Sequence, residues 1–508
     1  MNLLSSTFIF SFFTLISRIL GYLRDILIAI FLGASIFADA FFVAFRLPNT
    51  FRRLFGEGTF NAAFIPSYSS EKIESKKRGK KFADEVFSSL ILALIFIVLM
   101  VEIFTPFIVY LIAPGFFENT QKFNLAVEFT RITFPFLLFV SLSSFFSGIL
   151  NSNNKFAAAA AAPIILNLVL ILSLLISYAL NLNFAEQLSY GVTLAGIIQL
   201  FFLIFFTTKY YKPSFKFRVK LSKKVKFFFQ KLLPSILSSG VTQINILVGT
   251  IIASFEASAV SYLYYADRIY QINLAIAGVA VGTVSLPILS RAFKQKNISK
   301  ISSIQSKSIE LSLLLSIPAS LGLILASDEI VSALFGYGSF SLEDIDKTAS
   351  ALKYFGYGIP AFALVKILSN FFFARNNTKI PFYISCFIVL VNIVVSLTFF
   401  SEVGFIIIPI ATSLSTWVGV LTYVFLLNMN NYLLLKKYLT HSILKIIFST
   451  ILMSFLLVFT LDHYSSYLEY TFKYKFVYLV IIVCFVTSVY LISCYLTGVL
   501  KKNNFKTG

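Results

Sequence analysis

Charged residues are scarce in this sequence. Asp, Glu, Lys and Arg make up 13% of its 508 residues, whereas hydrophobic residues make up 58%. A soluble domain usually needs about 25% charged residues to solvate its surface. The apolar residues also come in runs of roughly 20, long enough to cross about 30 Å of hydrocarbon as a helix. The composition therefore excludes a soluble globular protein and predicts one that crosses a membrane many times.

Cysteine and histidine are also rare. Cys386, Cys484 and Cys494 all fall inside apolar runs, which excludes a disulfide framework and a metal set and predicts small buried hydrophobic residues. His441 and His463 lie at the ends of predicted spans. Metal-assisted transfer usually needs clustered carboxylates or histidines. A membrane enzyme, such as a polyprenyl-phosphate glycosyltransferase, is therefore only a distant alternative to a transporter. No cofactor is expected.

The positive charge does not indicate a nucleic-acid partner. The net charge is +20, but the lysines lie in short loops between apolar runs, and no soluble basic domain exists to hold a duplex. The expected surroundings are membrane lipids.

Hydropathy, broken at polar and Pro/Gly clusters, predicts an all-α polytopic protein of about fourteen transmembrane helices. The spans lie near 7–32, 36–66, 86–113, 125–150, 156–180, 186–208, 228–254, 258–290, 308–335, 348–374, 380–399, 404–427, 441–461 and 476–499. Basic residues concentrate after even-numbered spans, as in 72–81 and 209–226, while most other loops are bare or acidic. This alternation predicts that both termini are cytoplasmic.

A faint internal repeat divides the chain. Segment 44–47, Ala-Phe-Arg-Leu, is echoed at 266–269 by Ala-Asp-Arg-Ile. The even number of spans between the copies gives both the same orientation, as in secondary transporters that bind substrate between two repeats. We therefore expect two pseudo-symmetric six-helix lobes, 1–215 (helices 1–6) and 216–435 (helices 7–12), followed by helices 13–14 in 436–508.

The first two spans carry an unusual number of charges. These are Arg18, Arg24, Asp25, Asp39, Arg46, Arg52, Arg53 and Glu57. Each costs at least about 2.5–3.5 kcal/mol at the bilayer centre, so the side chains should face protein or water. Helical spacing places Asp39, Arg46, Arg53 and Glu57 on one face as a stripe of alternating partners. Arg24 and Arg52 point elsewhere and are freer to meet a ligand.

Two interpretations of these charges stay open. The stripe can consist of neutralising pairs that snorkel to the interface. Alternatively, the arginines line a cavity. Span 8 adds Asp267 and Arg268, so arginines outnumber nearby acids. A surplus of guanidinium groups suits a phosphate or carboxylate ligand, which arginine binds in a bidentate manner.

These residues lie in segments that resemble the MurJ (MviN) family of lipid II flippases. Residues 17–25 read Ser-Arg-Ile-Leu-Gly-Tyr-Leu-Arg-Asp, 38–49 read Ala-Asp-Ala-Phe-Phe-Val-Ala-Phe-Arg-Leu-Pro-Asn, and 52–58 read Arg-Arg-Leu-Phe-Gly-Glu-Gly. Residues 63–66 (Ala-Phe-Ile-Pro) and 265–271 (Tyr-Ala-Asp-Arg-Ile-Tyr-Gln) are similar to further family segments. The resemblance covers essentially the whole chain.

The resemblance implies a transporter of the multidrug/oligosaccharidyl-lipid/polysaccharide exporter superfamily. It would flip lipid II, the undecaprenyl-pyrophosphate-linked peptidoglycan precursor, across the bacterial cytoplasmic membrane by alternating access. The positions matching pyrophosphate-binding arginines are Arg18, Arg24, Arg52 and Arg268. Those linked to the cavity or its gate are Asp25, Asp39, Asn49, Glu57, Asn167 and, beside Arg268, Asp267. Helices 13 and 14 match the pair that offers a groove to the lipid tail.

The sequence departs from the family at one point. Some members place an Asp in span 7 and another in span 11, where they help to bind sodium. This chain has Gly249 and Ser396 there, although Asn392 remains. The difference argues against a sodium site and leaves the membrane potential or another ion to drive the cycle.

Three questions stay open at this level. A flippase for another polyprenyl-linked oligosaccharide, or a multidrug exporter of the same superfamily, is the alternative function. We expect a monomer, associated with the cell-wall synthesis machinery. Lys366 in span 10 can snorkel, pair with an acid or line the cavity, and the sequence does not decide among these.

Overall fold

The described part of the structure contains helices and the loops that join them. The computed structural model covers residues 3–56, 59–217 and 221–500, and no strand occurs within these ranges. The all-α prediction is confirmed. The chain divides into two compact units, Met1–Ser261 (unit 1) and Tyr262–Gly508 (unit 2).

The helices of the first half follow one another with short connections. They are α1 (Leu3–Leu32), α2 (Ile36–Gly56), α3 (Thr59–Glu74), α4 (Lys76–Ile103), α5 (Thr105–Ile112), α6 (Thr120–Thr133), α7 (Phe136–Ser152), α8 (Phe156–Leu180), α9 (Phe184–Thr207) and α10 (Lys223–Ala253).

The second half begins with α11, whose first three residues belong to unit 1. Its helices are α11 (Ala259–Leu274), α12 (Val281–Lys294), α13 (Ile298–Leu325), α14 (Ser327–Phe335), α15 (Leu342–Gly356), α16 (Ile359–Phe373), α17 (Lys379–Val403), α18 (Ile407–Met429), α19 (Tyr438–His463) and α20 (Lys475–Leu496). A π-helical turn, Ala275–Ala280, joins α11 to α12.

Ten helical stretches in the described part of the chain are long and apolar enough to cross a membrane. They include continuous pairs such as α6 with α7 (Thr120–Ser152) and α15 with α16 (Leu342–Phe373). The protein is therefore a multi-pass membrane protein. Every predicted span overlaps a helix or a run of helices, while the number of about fourteen crossings stays a prediction.

The bounds of the helices repeat along the chain. Helices α4 and α13 begin at Lys76 and Ile298 and end at Ile103 and Leu325, an offset of 222 residues at both ends. Helices α8 and α17 begin at 156 and 379 and end at 180 and 403, an offset of 223. The turns repeat as well, since Asn154 and Asn376 both have positive φ, of 57° and 60°. The predicted repeat is thus present in the helices themselves.

The repeat and the compact units divide the chain at different points. Helix α10 begins at Lys223, 220 residues after α1, so it opens the second repeat. It nevertheless belongs to the first compact unit, where it packs on α2 and α3. The predicted lobe boundary at 215 follows the repeat, and it stays a prediction.

Aromatic side chains form much of the core of unit 1. Phe64 packs against Phe60, Phe145 and Phe228, with ring centroids 5.1–6.1 Å apart. Van der Waals packing of this kind holds membrane helices together, because lipid tails are as apolar as the side chains.

Apolar residues also cover the outward faces of the helices. This corrects the prediction that all three cysteines are buried. Cys494 is buried as expected, but Cys386 and Cys484 are exposed.

One loop in each half is tied to the helix at the same repeat position. In unit 1, Asp84 of α4 accepts hydrogen bonds from the hydroxyl of Tyr211 (2.7 Å) and the amide of Ser214 (3.1 Å). In unit 2, the side-chain amide of Gln305 on α13 donates to the carbonyl of Tyr432 (2.9 Å) and accepts from the amide of Leu434 (2.8 Å). We call segments 209–217 and 430–437 the tied loops.

Candidate functional site

Arg24 lies at the centre of a buried polar cluster between α1 and α8. Its Nε and Nη2 donate to Oδ1 of Asp25 over 3.0 and 2.6 Å. Its Nη1 donates to Oδ1 of Asn167 over 3.0 Å, and Asn167 Nδ2 in turn donates to the carbonyl of Ser17 over 2.8 Å. All three side chains are buried. The predicted freedom of Arg24 is therefore wrong, because one carboxylate and one amide fix its orientation.

Two further arginines of unit 1 are more accessible. Arg18, on α1, is exposed and makes no ion pair within the described residues. Arg52, on α2, is half-buried, and its Nε donates to Oδ1 of Asn49 over 2.9 Å. Asn49 precedes Arg52 by three residues, so the contact follows from helical spacing.

Asp39 pairs outside its own helix. Its Oδ1 accepts from the amide and hydroxyl of Ser261 (2.8 and 2.5 Å), and its Oδ2 lies 2.5 Å from Nζ of Lys122. Asp39 is fully buried, and Lys122 lies 4.1 Å above the ring of Phe116. The carboxylate thus binds both a lysine of α6 and the first turn of α11, where amides lack helical partners.

The prediction that Asp39 pairs within the charged stripe of α2 is therefore wrong. The period of one helix reveals which residues share a face, but Lys122 is 83 positions away and belongs to another helix. Arg46 and Arg53 are half-buried on α2. Glu57 lies outside the described residues, so its predicted pairing stays a prediction.

Unit 2 contributes Arg268 and Asp267 from α11. Arg268 Nη2 donates to the hydroxyl of Tyr264 over 3.0 Å, and its Cζ lies 4.5 Å from the centre of that ring. Asp267 accepts from the side-chain amide of Gln271. Both are half-buried. The aromatic face and hydroxyl of Tyr264, one turn away, hold the guanidinium of Arg268 in place.

The chemistry available to these residues is recognition of an oxyanion. No group of three metal-binding side chains occurs among the described residues. Guanidinium groups oriented by amide, hydroxyl and carboxylate oxygens match the planar geometry of phosphate and carboxylate oxygens. Nothing in the arrangement indicates a nucleophile or a general base.

Residues 28–504 match the family described as "Lipid II flippase MurJ". The chain is 39% identical over 420 residues to the probable lipid II flippase MurJ of Rickettsia prowazekii (strain Madrid E), covering 82% of each chain. It is 31% identical over 514 residues to that of Buchnera aphidicola subsp. Schizaphis graminum (strain Sg), covering 98% of each. The chain belongs to the MurJ family.

Solved structures agree with this assignment. The chain is similar to a lipid II flippase MurJ in an inward closed conformation, with a TM-score of 0.82 and 29% identity over 96% of this chain and 98% of the other. A MATE family multidrug transporter of the MOP superfamily matches with a TM-score of 0.67 at 13% identity, over 82% of this chain and 94% of the other. This second likeness concerns the fold alone.

Asn392 and Ser396, which the sequence interpretation considered in connection with sodium, take part in a network of neutral hydrogen bonds. Asn392 Nδ2 donates to the hydroxyl of Thr412 (2.9 Å), and the hydroxyl of Ser396 donates to Oδ1 of Asn392 (3.2 Å). Asn392 and Ser396 are buried. The oxygens of Asn392 and Thr412 already accept hydrogen bonds, and this set includes no carboxylate. A hard cation requires several free oxygen ligands, so the network suits a neutral packing role.

The sequence interpretation missed Lys122. A signal was available, since Lys122 is the only basic residue between Lys81 and Arg131. A lone cation at the edge of an apolar run needs an acid, and the sequence interpretation assigned it none. Spacing within a single helix does not supply this pairing.

Proposed function

We propose that this protein is a transporter that flips lipid II between the leaflets of the cytoplasmic membrane for peptidoglycan synthesis. The observation that carries the proposal is the set of oriented arginines on membrane helices, in a chain of the MurJ family. Relatives in that family are named as lipid II flippases over most of this chain. An enzyme is disfavoured because the polar clusters described above hold cations for binding and no reactive pair.

In unit 1, we propose that Arg18, Arg24 and Arg52 bind the diphosphate. The pairing of Arg24 with Asp25 supports this role, because it neutralises a buried charge while substrate is absent. Asn167 and Asp25 hold the guanidinium plane fixed, so less side-chain entropy is lost when an anion arrives. Asn49 does the same for Arg52.

In unit 2, we propose that Arg268 binds an acidic group of the headgroup and that Asp267 assists it.

Asp39 and Glu57 are proposed to belong to the gate of an alternating-access cycle. For Asp39 the support is its contact with two other helices, since a carboxylate that joins separate elements can be released when they move.

The lipid tail needs an apolar path. We propose that the polyprenyl chain lies along α19 and α20. Both helices expose large apolar side chains, among them Phe455 (78%) and Leu496 (75%). We also propose that both termini are cytoplasmic, because the loops after even-numbered spans are basic. From the family, we propose that the protein is a monomer that associates with cell-wall synthesis proteins.

We also propose that transport does not use sodium at Ser396. The neutral hydrogen bonds among Asn392, Ser396 and Thr412 support this, and the membrane potential or another ion would then supply the energy.

A flipping assay tests the proposed function. Purified protein in proteoliposomes with defined lipid II should move the lipid between leaflets. Arg268→Ala should abolish flipping while keeping wild-type insertion and melting temperature, because it removes a bidentate anion donor. Arg24→Ala should also abolish flipping, but with a lower melting temperature, because Asp25 then stays buried without its partner. Arg78→Ala is the matched control, since Arg78 is exposed and, among the described residues, pairs only with Glu74 one helical turn earlier.

The same assay discriminates between substrates. Flipping of another polyprenyl-linked oligosaccharide in preference to lipid II would favour the alternative transporter. Full activity of both arginine variants would contradict the arginine site.

A further inference from the structure

Lys366 is an isolated cation in the middle of a membrane helix. It lies seven residues from each end of α16, in the sequence Ile-Pro-Ala-Phe-Ala-Leu-Val-Lys-Ile-Leu-Ser-Asn-Phe-Phe-Phe. The structure describes every residue of 359–373, and Lys366 is the only exposed one among them. A helix that exposes one lysine and none of its apolar residues is unlike a lipid-facing helix, which exposes apolar residues.

The three interpretations of Lys366 can now be separated. Pairing is excluded within the described residues, where no acid or other side chain bonds to its ammonium. Snorkelling is disfavoured by geometry. Helix side chains lean toward the N-terminus, so the stem of Lys366 points away from Phe373 and into the longer part of the span, Leu342–Phe373. An unpaired ammonium at such depth needs water.

A glycine on the neighbouring helix makes room for the lysine stem. A Cβ atom added to Gly282 of α12 would lie 3.0 Å from Cγ of Lys366, so the stem runs directly over this glycine. One turn earlier, a Cβ atom at Gly278 would lie 3.2 Å from Cα of Ala363. The two glycines form the small-xxx-small pattern that lets membrane helices approach closely.

The contact is further fixed by Asn370. Its Nδ2 donates to the carbonyl of Gly282 over 2.7 Å and lies 3.3 Å from the hydroxyl of Ser285. Asn370 is one turn beyond Lys366 on α16, and both face α12. The stem of Lys366 is therefore held while its ammonium stays exposed, which is an arrangement for presenting a charge.

The fold itself does not require this lysine. Helix α7, the counterpart of α16 in the repeat, has no charged residue over Phe136–Ser152. The architecture is therefore built in the other half without a cation at this position. An unpaired charge that costs free energy and adds nothing to the fold indicates a functional role.

We propose that Lys366 binds an acidic oxygen of the transported headgroup, either of the diphosphate or of a peptide carboxylate. This inference rests on the proposed function and names a second cation of unit 2, besides Arg268, that would bind the headgroup. A lysine ammonium is a compact point charge with three donors, and it binds one oxyanion without the orientation that arginine demands.

The test uses the full-length chain and three variants. Lys366→Met keeps the stem over Gly282 and removes the charge, Lys366→Arg keeps the charge, and Lys294→Met is the control. Lys294 is an exposed lysine in the last turn of α12, the helix against which Lys366 lies. Binding is measured in detergent with lipid II and with undecaprenyl diphosphate, followed by flipping in proteoliposomes and melting temperature.

Lys366→Met should weaken binding of lipid II by about tenfold, the scale of one charge-assisted hydrogen bond. Lys366→Arg should retain most of the affinity, and Lys294→Met all of it. A parallel loss with undecaprenyl diphosphate assigns the contact to the diphosphate, and a loss confined to lipid II assigns it to a carboxylate. Wild-type binding of both lipids by Lys366→Met would overturn the inference. If the wild-type protein itself fails to flip lipid II, the proposed function fails instead.

Discussion

At the scale of single residues, buried charges in this protein are stabilised by partners that lie far away in sequence. Asp39 binds Lys122 and the amide of Ser261, and Arg24 binds Asn167. A buried charge is costly unless paired, and removing one partner leaves the other uncompensated. Losing one member of such a pair should therefore lower the stability of the protein strongly.

Asp39→Asn should lower the free energy of unfolding by about 3–5 kcal/mol, because Lys122 would stay buried without an acid. The double variant Asp39→Asn with Lys122→Met should recover most of the loss, since both charges are gone. A double-mutant cycle from melting curves of the purified protein measures the coupling.

Additive losses from Asp39→Asn and Lys122→Met would contradict the assigned pairing. The exposed pair of Glu74 and Arg78 provides the comparison. Glu74→Gln should lower the free energy of unfolding by less than about 1 kcal/mol, as is usual for ion pairs in water.

At the scale of elements, hydropathy is sufficient to place the helices and insufficient to place their contacts. Apolar runs predict where each span lies, and Gly or Pro clusters predict most of the breaks. The π-helical turn at Ala275–Ala280 has no such cluster, since it contains a single glycine, Gly278, and no proline or polar residue. The partner of Asp39 was missed for a related reason, because it depends on how α6 packs on α2. Periodicity is a property of one helix, whereas pairing is a property of two.

The tied loops are a second element-scale feature. Burial, followed by the hydrogen bond to Asp84, raises the pKa of Tyr211, so its phenol stays protonated and keeps donating to the carboxylate. The same carboxylate accepts the amide of Ser214. Asp84 thus fixes two points of the loop that joins α9 to α10.

Asp84→Ala should release segment 209–217. Two donors lose their acceptor, at about 1–3 kcal/mol for each unsatisfied group, so amide exchange at Ser214 should accelerate by at least about tenfold. Hydrogen exchange with mass spectrometry measures this. Ser89→Ala is the matched control, since the hydroxyl of Ser89 donates to the carbonyl of Glu85 in its own helix and makes no hydrogen bond to the loop in the described part of the chain. Unchanged exchange in Asp84→Ala would show that the loop is held by other contacts.

At the scale of the whole molecule, the two repeats share helix lengths but differ in charge. Helix α1 carries Arg18 and Arg24, whereas α10, which opens the second repeat, has no arginine. The second repeat therefore has the same helices without these two arginines, and an arginine of its own on a membrane helix, Arg268, lies on α11. The sequence indicated the repeat through a few short echoes, while the equal helix bounds emerged only from the structure.

The ion requirement belongs to this scale, because it concerns the complete transport cycle. Flipping of lipid II at a clamped membrane potential should proceed at the same rate when potassium replaces sodium. Ser396→Asp should instead gain a sodium-dependent rise in melting temperature, because a carboxylate beside Asn392 and Thr412 would supply a charged oxygen ligand and binding stabilises the folded state. A wild-type rate that falls when sodium is removed would refute the sodium-independent cycle.

The buried pair of Asp39 and Lys122 has a consequence for cells under osmotic stress. Mobile ions screen charges in water over about 8 Å at physiological ionic strength, but they do not enter a packed interior. The exposed pair of Glu74 and Arg78 weakens as salt rises, whereas Asp39 keeps its hold on Lys122 and on the start of α11. The part of unit 1 that these residues join is therefore insulated from changes in the salinity around the membrane.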